Sequence, residues 1–137
     1  MTFERFFKHL TGGSRPGDSG YEPHAWQSRL AADSVCRDRL IRIPTGFGKT
    51  AGVVSAWLWN RVEQRNSGWP RRLILCLPMR TLVEQTHCEV ASWLERAGLD
   101  PHQHVHMLLG GLSPSDWHLI PECECVRDIT ECCGSVE

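Results

Sequence analysis

A glycine-rich stretch, RIPTGFGKTAGVV at residues 42–54, constrains the fold of this chain more than any other feature. Gly46 and Gly48 permit a tight turn whose backbone N–H groups face inward, and Lys49 and Thr50 follow directly. An apolar run precedes the turn and a helical pattern follows it, which is the context of a phosphate-binding loop. We therefore predict that this stretch holds the phosphates of ATP.

The residues of the loop have individual predicted roles. Lys49 is expected to reach the β and γ phosphates and the Thr50 hydroxyl to ligate Mg²⁺, so these two are the predicted catalytic residues. The strict motif has a glycine where this chain has Ile43. The alternative is an ordinary turn before a helix, with Lys49 merely solvated. The predicted cofactor contacts in the loop are Thr45, Gly46, Phe47, Gly48, Lys49 and Thr50.

Short apolar runs alternate with helical patterns along the chain. The predicted strands are RLIRIPT (39–45, ending near Ile43), RRLILCLP (71–78) and HVHMLLGG (104–111). The predicted helices span residues 3–10, 22–36, 53–62 and 82–97. Such alternation implies right-handed crossovers and a parallel sheet covered by helices on both sides. The predicted fold class is α/β.

Composition limits the other possibilities. With 137 residues and 41% apolar content the chain can bury one core, and a net charge of −1 provides no global field for a polyanion, so any nucleic-acid contact must be local. No apolar run approaches the roughly 20 residues that span a bilayer, and the start has no cleavable apolar segment, so we expect a cytoplasmic protein without membrane contact. Cys36, Cys76 and Cys88 are scattered through predicted core elements, which favours reduced thiols.

Three neighbours of the loop indicate a nucleic-acid motor. Gln27, in HAWQ, lies on a helix upstream, where its amide could read an adenine edge. The second predicted strand ends in LPMRTLVEQT, and the third ends in Gly110 and Gly111, which permit close backbone approach. In this order Gln27, PTGFGKT and PMRTLVEQ resemble the Q motif, motif I and motif Ia of superfamily 2 helicases. That resemblance implies a truncated RecA-like parallel sheet of the P-loop NTPase type.

More narrowly, IPTGFGKT, LPMRTLVEQT and VHMLLGG...DWHLIPE are similar to the helicase-nuclease of type I CRISPR systems. The resemblance implies an ATP- and Mg²⁺-dependent DNA helicase of CRISPR interference, with Gln27 on adenine and a CRISPR effector complex as a partner. Single-stranded DNA would contact Pro78, Arg80, Thr81, Gly110 and Gly111. For Gln27 the alternative is an ordinary polar helix residue, and for Arg80 it is a surface ion pair.

The chain then divides into an N-terminal helix and flexible loop (1–20), a partial RecA-like ATP-binding helicase domain (21–122) and a divergent cysteine-rich tail (123–137). Hydrolysis requires a carboxylate on magnesium and an arginine near the γ phosphate. Relatives carry the carboxylate in an Asp-Glu box and the arginine in a second domain, and they also carry a His-Asp nuclease motif. None of these features occurs here. Asp128 and Glu131 are not adjacent and so do not form an Asp-Glu box. We expect nucleotide binding without sustained hydrolysis or unwinding, after a frameshift or gene decay near Cys123.

Other readings stay open. The chain could be a stand-alone or decayed P-loop nucleotide-binding module without helicase activity. The tail cysteines could bind zinc as part of an interaction protein, although their spacing is unlike that of zinc knuckles and an accidental cluster is preferred. His102, His104 and His106 alternate as on a half-exposed strand face. Trp57 and Trp93 are assigned to core packing. The tail cysteines are Cys123, Cys125, Cys132 and Cys133.

Overall fold

The computed structural model describes residues 1–13 and 19–109, and within these ranges all regular structure is helical. The helices pack against one another around a single apolar core. In chain order they are α1 (Phe3–Thr11), α2 (Ala25–Ala31), α3 (Lys49–Leu58) with a π-helical turn (Trp59–Glu63) at its end, α4 (Arg80–Arg96) and α5 (Pro101–His104).

The N-terminal helix α1 forms where the sequence predicts it. The Thr2 hydroxyl caps the helix by accepting the Arg5 N–H at 3.4 Å, and four apolar side chains at helical spacing are buried on one face. Phe3 and Phe6 contact the ring of Trp59 in the π-helical turn, with centroids 6.0 and 5.5 Å apart. The four buried side chains are Phe3, Phe6, Phe7 and Leu10.

Helix α4 packs against α1 and closes the core from the other side. Arg96 Nη1 donates to the Leu10 carbonyl at 2.5 Å, and the His9 ring bonds to the Arg96 carbonyl at 2.7 Å. The helix ends at Gly98, which adopts φ +76° so that the Leu99 N–H can return to the Leu94 carbonyl at 2.9 Å. The predicted end of this helix at Gly98 is confirmed.

A polar network holds the C-terminal end of α2. Asn60 Nδ2, from the π-helical turn, donates to the Ala31 carbonyl at 2.9 Å, and Asn66 Nδ2 donates to the Ser34 carbonyl at 2.8 Å. Trp69 Nε1 donates to the Asp33 carbonyl at 2.8 Å. Because these bonds take up the carbonyls that a longer helix would use, α2 ends at Ala31 and not at residue 36 as predicted.

The predicted α/β fold, a RecA-like parallel sheet flanked by helices, is wrong for the described residues, because they contain no strand. The segments at 39–45 and 71–78 run between helices without pairing, and Leu40 and Ile74 are 86% and 53% exposed. A parallel strand needs hydrogen-bonding neighbours and cover on both faces. Here the helices cover one another instead, so Leu40 and Ile74 stay outside the core, whereas Leu73 packs against it.

Three smaller predictions are also settled. Residues 101–104 form α5, with Asp100 accepting the His102 N–H at 3.0 Å. This helix includes His102 and His104 of the predicted histidine face, and His104 is the first residue of the predicted third strand. The free thiols Cys36, Cys76 and Cys88 are exposed, and of the three only Cys88 lies in a helix, α4. Trp57 and Trp93 pack against the core as predicted. Trp59 and Trp69, which were not assigned, also pack there.

Across the described ranges, no helix has the length and apolarity to cross a membrane.

Candidate nucleotide-binding site

The glycine-rich loop turns directly into α3. Gly46 and Gly48 adopt φ +89° and +65°, the left-handed region in which only glycine is free of strain, and α3 begins at Lys49. No side chain caps this helix, so the first-turn N–H groups have no side-chain partner. Exposed N–H groups and the positive end of the helix dipole favour an anion at this point.

Lys49 turns its ammonium group back onto the loop. Its Nζ donates to the Ile43 carbonyl at 2.8 Å and to the Pro44 carbonyl at 3.1 Å. These bonds draw the start of the loop towards α3 and keep the positive charge beside the glycine turn. A phosphate oxygen, being charged, is a stronger acceptor for the ammonium than either carbonyl.

Gln27 lies beneath the loop and is 1% exposed. Its Oε1 accepts the His24 N–H at 2.7 Å, and its Nε2 donates to the Gly48 carbonyl at 2.9 Å. The side chain thus joins the start of α2 to the loop. The amide retains one further hydrogen and one further lone pair, so adenine contact stays a prediction.

His24 is a neighbour of the loop that the sequence analysis did not identify. Its ring lies against the ring of Phe47, with centroids 5.6 Å apart and planes tilted by 41°. His24 precedes α2 and caps it with its backbone, three residues before Gln27. That three-residue spacing, typical of a capping box, is the only sequence feature that could have indicated this position.

The residues of the loop fit a magnesium-bound triphosphate. They offer backbone N–H groups, the Lys49 ammonium and, in the first turn of α3, the Thr50 hydroxyl, while Thr45 lies exposed in the turn. Mg²⁺ bound together with phosphates takes most of its ligands from water and phosphate oxygens, so the single hydroxyl of Thr50 suffices as the protein ligand from the loop. Elsewhere in the described ranges, no group of three or more His, Cys, Asp or Glu residues could hold a metal.

The residues predicted to contact DNA lie around the start of α4. Pro78, Arg80 and Thr81 are all exposed there. Arg80 Nε pairs with Glu84 Oε1 at 2.9 Å, one helical turn away, which is the surface ion pair considered as the alternative to a DNA contact. An exposed pair of this kind is weak and can exchange partners. Gly110 and Gly111 lie outside the described residues.

A separate cavity of about 170 Å³ lies beside the C-terminal half of α2. Its lining is mostly apolar, and at its polar side Arg39 forms an ion pair with Asp33. This lining suits side-chain packing better than phosphate binding. Its apolar lining includes Leu30, Ile41, Val53, Trp57, Trp69 and Leu73.

Comparison with protein families gives a match to the family model of the DEAD/DEAH box helicase over residues 25–126. The matched range includes Gln27, the glycine-rich loop and the start of α4. Neither the curated proteins nor the solved structures gave a significant match.

Proposed function

Because this chain belongs to the DEAD/DEAH box helicase family, we propose that residues 45–50 bind ATP with Mg²⁺ as the nucleotide-binding part of an ATP-dependent DNA helicase. The observation that supports this most directly is the uncapped start of α3, with two left-handed glycines before it and the Lys49 ammonium held beside it. Members of this family use ATP, usually with Mg²⁺, and the donor groups of the loop suit such a ligand.

Each loop residue would contribute a separate interaction. The N–H groups after Gly46 and Gly48 would donate to phosphate oxygens, and Lys49 would leave its two carbonyl partners for the β and γ phosphates. Thr50 would place its hydroxyl on magnesium. Bound ATP and magnesium would supply the phosphoryl chemistry, while the chain binds and orients them.

We further propose that this chain does not turn over ATP efficiently by itself. Efficient hydrolysis depends on a carboxylate that holds magnesium and orients water, and on an arginine at the γ phosphate. The Asp-Glu box that relatives carry does not occur in the sequence. ATP would therefore bind with little hydrolysis, and single-stranded DNA would not stimulate it.

The two lysines of the chain provide a matched test. Lys49→Ala removes the ammonium from the loop, whereas Lys8→Ala removes an exposed ammonium that pairs with Glu22 on the chain surface. Titration of each variant with ATP and Mg²⁺ should show binding to the unaltered chain and to Lys8→Ala, and binding at least tenfold weaker to Lys49→Ala. Equal ATP affinities for all three chains would contradict a phosphate-binding loop.

The DNA partner and the CRISPR role are narrower proposals. They are supported by the similarity of IPTGFGKT and LPMRTLVEQT to the helicase of type I CRISPR systems and by the exposed Arg80 at the start of α4. The genes beside the coding sequence test the CRISPR role. We expect CRISPR-associated genes there, and a neighbourhood without them would contradict the assignment.

A stand-alone nucleotide-binding module is the second candidate function. The described helices pack into one core without a sheet, which favours a small unit that holds a nucleotide and performs no mechanical work. Strong ATPase activity stimulated by single-stranded DNA would exclude this candidate and would also contradict the proposed lack of turnover.

A further inference from the structure

The apolar cavity beside the C-terminal half of α2 is lined by parts of the chain that are far apart in sequence. Its volume is about 170 Å³, and its walls include Leu30 of α2, Val53 of α3 and Leu73. An engineered apolar cavity of about 150 Å³ is large enough to hold benzene. The cavity can therefore accept one aromatic ring.

The two indoles in the lining offer no free hydrogen-bond donor to the cavity. Trp57 Nε1 donates to the Pro70 carbonyl at 2.9 Å, and Trp69 Nε1 donates to the Asp33 carbonyl at 2.8 Å. Water inside a protein needs about two to four polar partners, so it is poorly held against these walls. An apolar group that displaces such water gains free energy.

Hydrogen bonds hold the walls of the cavity in place. The Cys36 N–H donates to the Gly68 carbonyl at 2.9 Å, and Asn66 Nδ2 donates to the Ser34 carbonyl at 2.8 Å. These bonds join the chain that follows α2 to the turn before Trp69. A cavity with fixed walls binds a ligand without the entropic cost of ordering those walls.

The exposed edge of the cavity carries more positive than negative charge. Arg37, Arg39 and Asp33 contribute to this edge, and Arg39 forms an ion pair with Asp33. Within residues 1–13 and 19–109, Arg37 forms no ion pair. Its guanidinium is therefore available to a carboxylate, which it can bind through charge-assisted hydrogen bonds.

We propose that this cavity binds a small aromatic carboxylate, with the ring against the apolar walls and the carboxylate at Arg37. None of the described lining residues belongs to the glycine-rich loop at 45–50, so the proposal is independent of nucleotide binding. A ligand of about ten non-hydrogen atoms, such as phenylacetate, is expected to bind with a dissociation constant of about 1 mM.

The first measurement follows the indole N–H resonances of the unaltered chain. Titration with phenylacetate should shift the resonances of Trp57 and Trp69 and leave that of Trp93, which lies on α4 away from the lining, unchanged. Acetate, which lacks the ring, should shift none of the three. Absence of a shift at Trp57 and Trp69 in about 10 mM phenylacetate would overturn the proposal.

Two consecutive residues provide a matched pair of variants. Ile41 lines the cavity, whereas Leu40 is 86% exposed and is not part of the described lining. Ile41→Trp fills the cavity with an indole and should weaken phenylacetate binding at least tenfold, whereas Leu40→Trp should leave it unchanged. Equal affinities of the two variants would contradict binding in the cavity. If Ile41→Trp does not fold, the indole shifts of the unaltered chain decide the question.

Phenylacetate and its neutral amide test the contact with Arg37. Arg37→Ala should weaken phenylacetate binding about fivefold, the change expected for one exposed charge contact, and should not affect phenylacetamide. Arg29→Ala, which removes an exposed guanidinium from α2 outside the described lining, should affect neither ligand. Unchanged phenylacetate affinity in Arg37→Ala, or equal affinities of the unaltered chain for phenylacetate and phenylacetamide, would overturn the proposed carboxylate contact.

Discussion

Gly52 lies directly against the indole of Trp26, so that a Cβ atom at position 52 would stand 2.4 Å from Trp26 Cη2. This contact sets how closely α3 approaches α2, and with it the position of Gln27 beneath the loop. A side chain at residue 52 must push the two helices apart or displace the indole.

Gly52→Ala should therefore destabilise the chain by about 1 to 3 kcal/mol, the usual range for overpacking a core. Urea denaturation followed by circular dichroism measures the change. In a Trp26→Leu background the same substitution should cost less, because the nearest clashing atom is absent and only Gln27 Cγ, 2.8 Å from the new Cβ, still obstructs it. An equal cost in both backgrounds would show that the indole is not the obstacle.

Leu40 and Leu58 distinguish the helical core from a buried sheet. Leu58 on α3 is 0% exposed, so Leu58→Ala should cost about 2 to 5 kcal/mol of unfolding free energy. Leu40 lies in the first predicted strand and is largely exposed, so Leu40→Ala should change stability by less than about 0.5 kcal/mol. A large cost at Leu40, measured in the same denaturation experiment, would mean that this segment is buried as a strand.

The loop glycines differ in what surrounds them. Both adopt positive φ, but a Cβ at Gly46 would meet nothing within 4 Å, whereas a Cβ at Gly48 would lie 3.0 Å from Gln27 Nε2. Gly46→Ala should weaken ATP binding through backbone strain alone. Gly48→Ala should weaken it further, since the new methyl group also presses on Gln27. Calorimetry on both variants checks the order, and a greater loss for Gly46→Ala would contradict the observed packing.

Arg80 is the residue through which the proposed DNA contact can be tested. Arg80→Ala should weaken binding of single-stranded DNA and reduce the dependence of log affinity on log salt by about 0.7, the value for one phosphate contact on a single strand. Glu84→Ala releases Arg80 from its ion pair and should not weaken binding. Fluorescence anisotropy across a salt series measures both, with Arg5→Ala on α1 as the control. An unchanged salt slope for Arg80→Ala would place the DNA elsewhere.

The sequence predicted those features that depend on local chemistry. The apolar face of α1, the end of α4 at Gly98 and the glycine turn before α3 each follow from residues within a few positions of one another. The packing of Trp59 was not predictable, because it depends on contacts with Phe3 and Phe6, more than fifty positions away.

The predicted strands failed for a related reason. The residues around Leu40 and Ile74 have the apolar, branched composition of strands and do run without helix. Pairing, however, depends on neighbouring segments and on covering helices, which no short pattern specifies. In the same way, the contact of His24 with Phe47 depends on how α2 meets the loop, and the local sequence indicates only the capping position of His24.

The most direct test of nucleotide binding by the loop uses the fact that Lys8 and Lys49 are the only lysines in the chain. An amine-reactive reagent is applied with and without ATP and Mg²⁺, and mass spectrometry measures the modification of each side chain. We predict that ATP protects Lys49 several-fold while Lys8, paired with Glu22 on the surface, reacts equally under both conditions. Equal reactivity of Lys49 with and without saturating ATP would contradict the account.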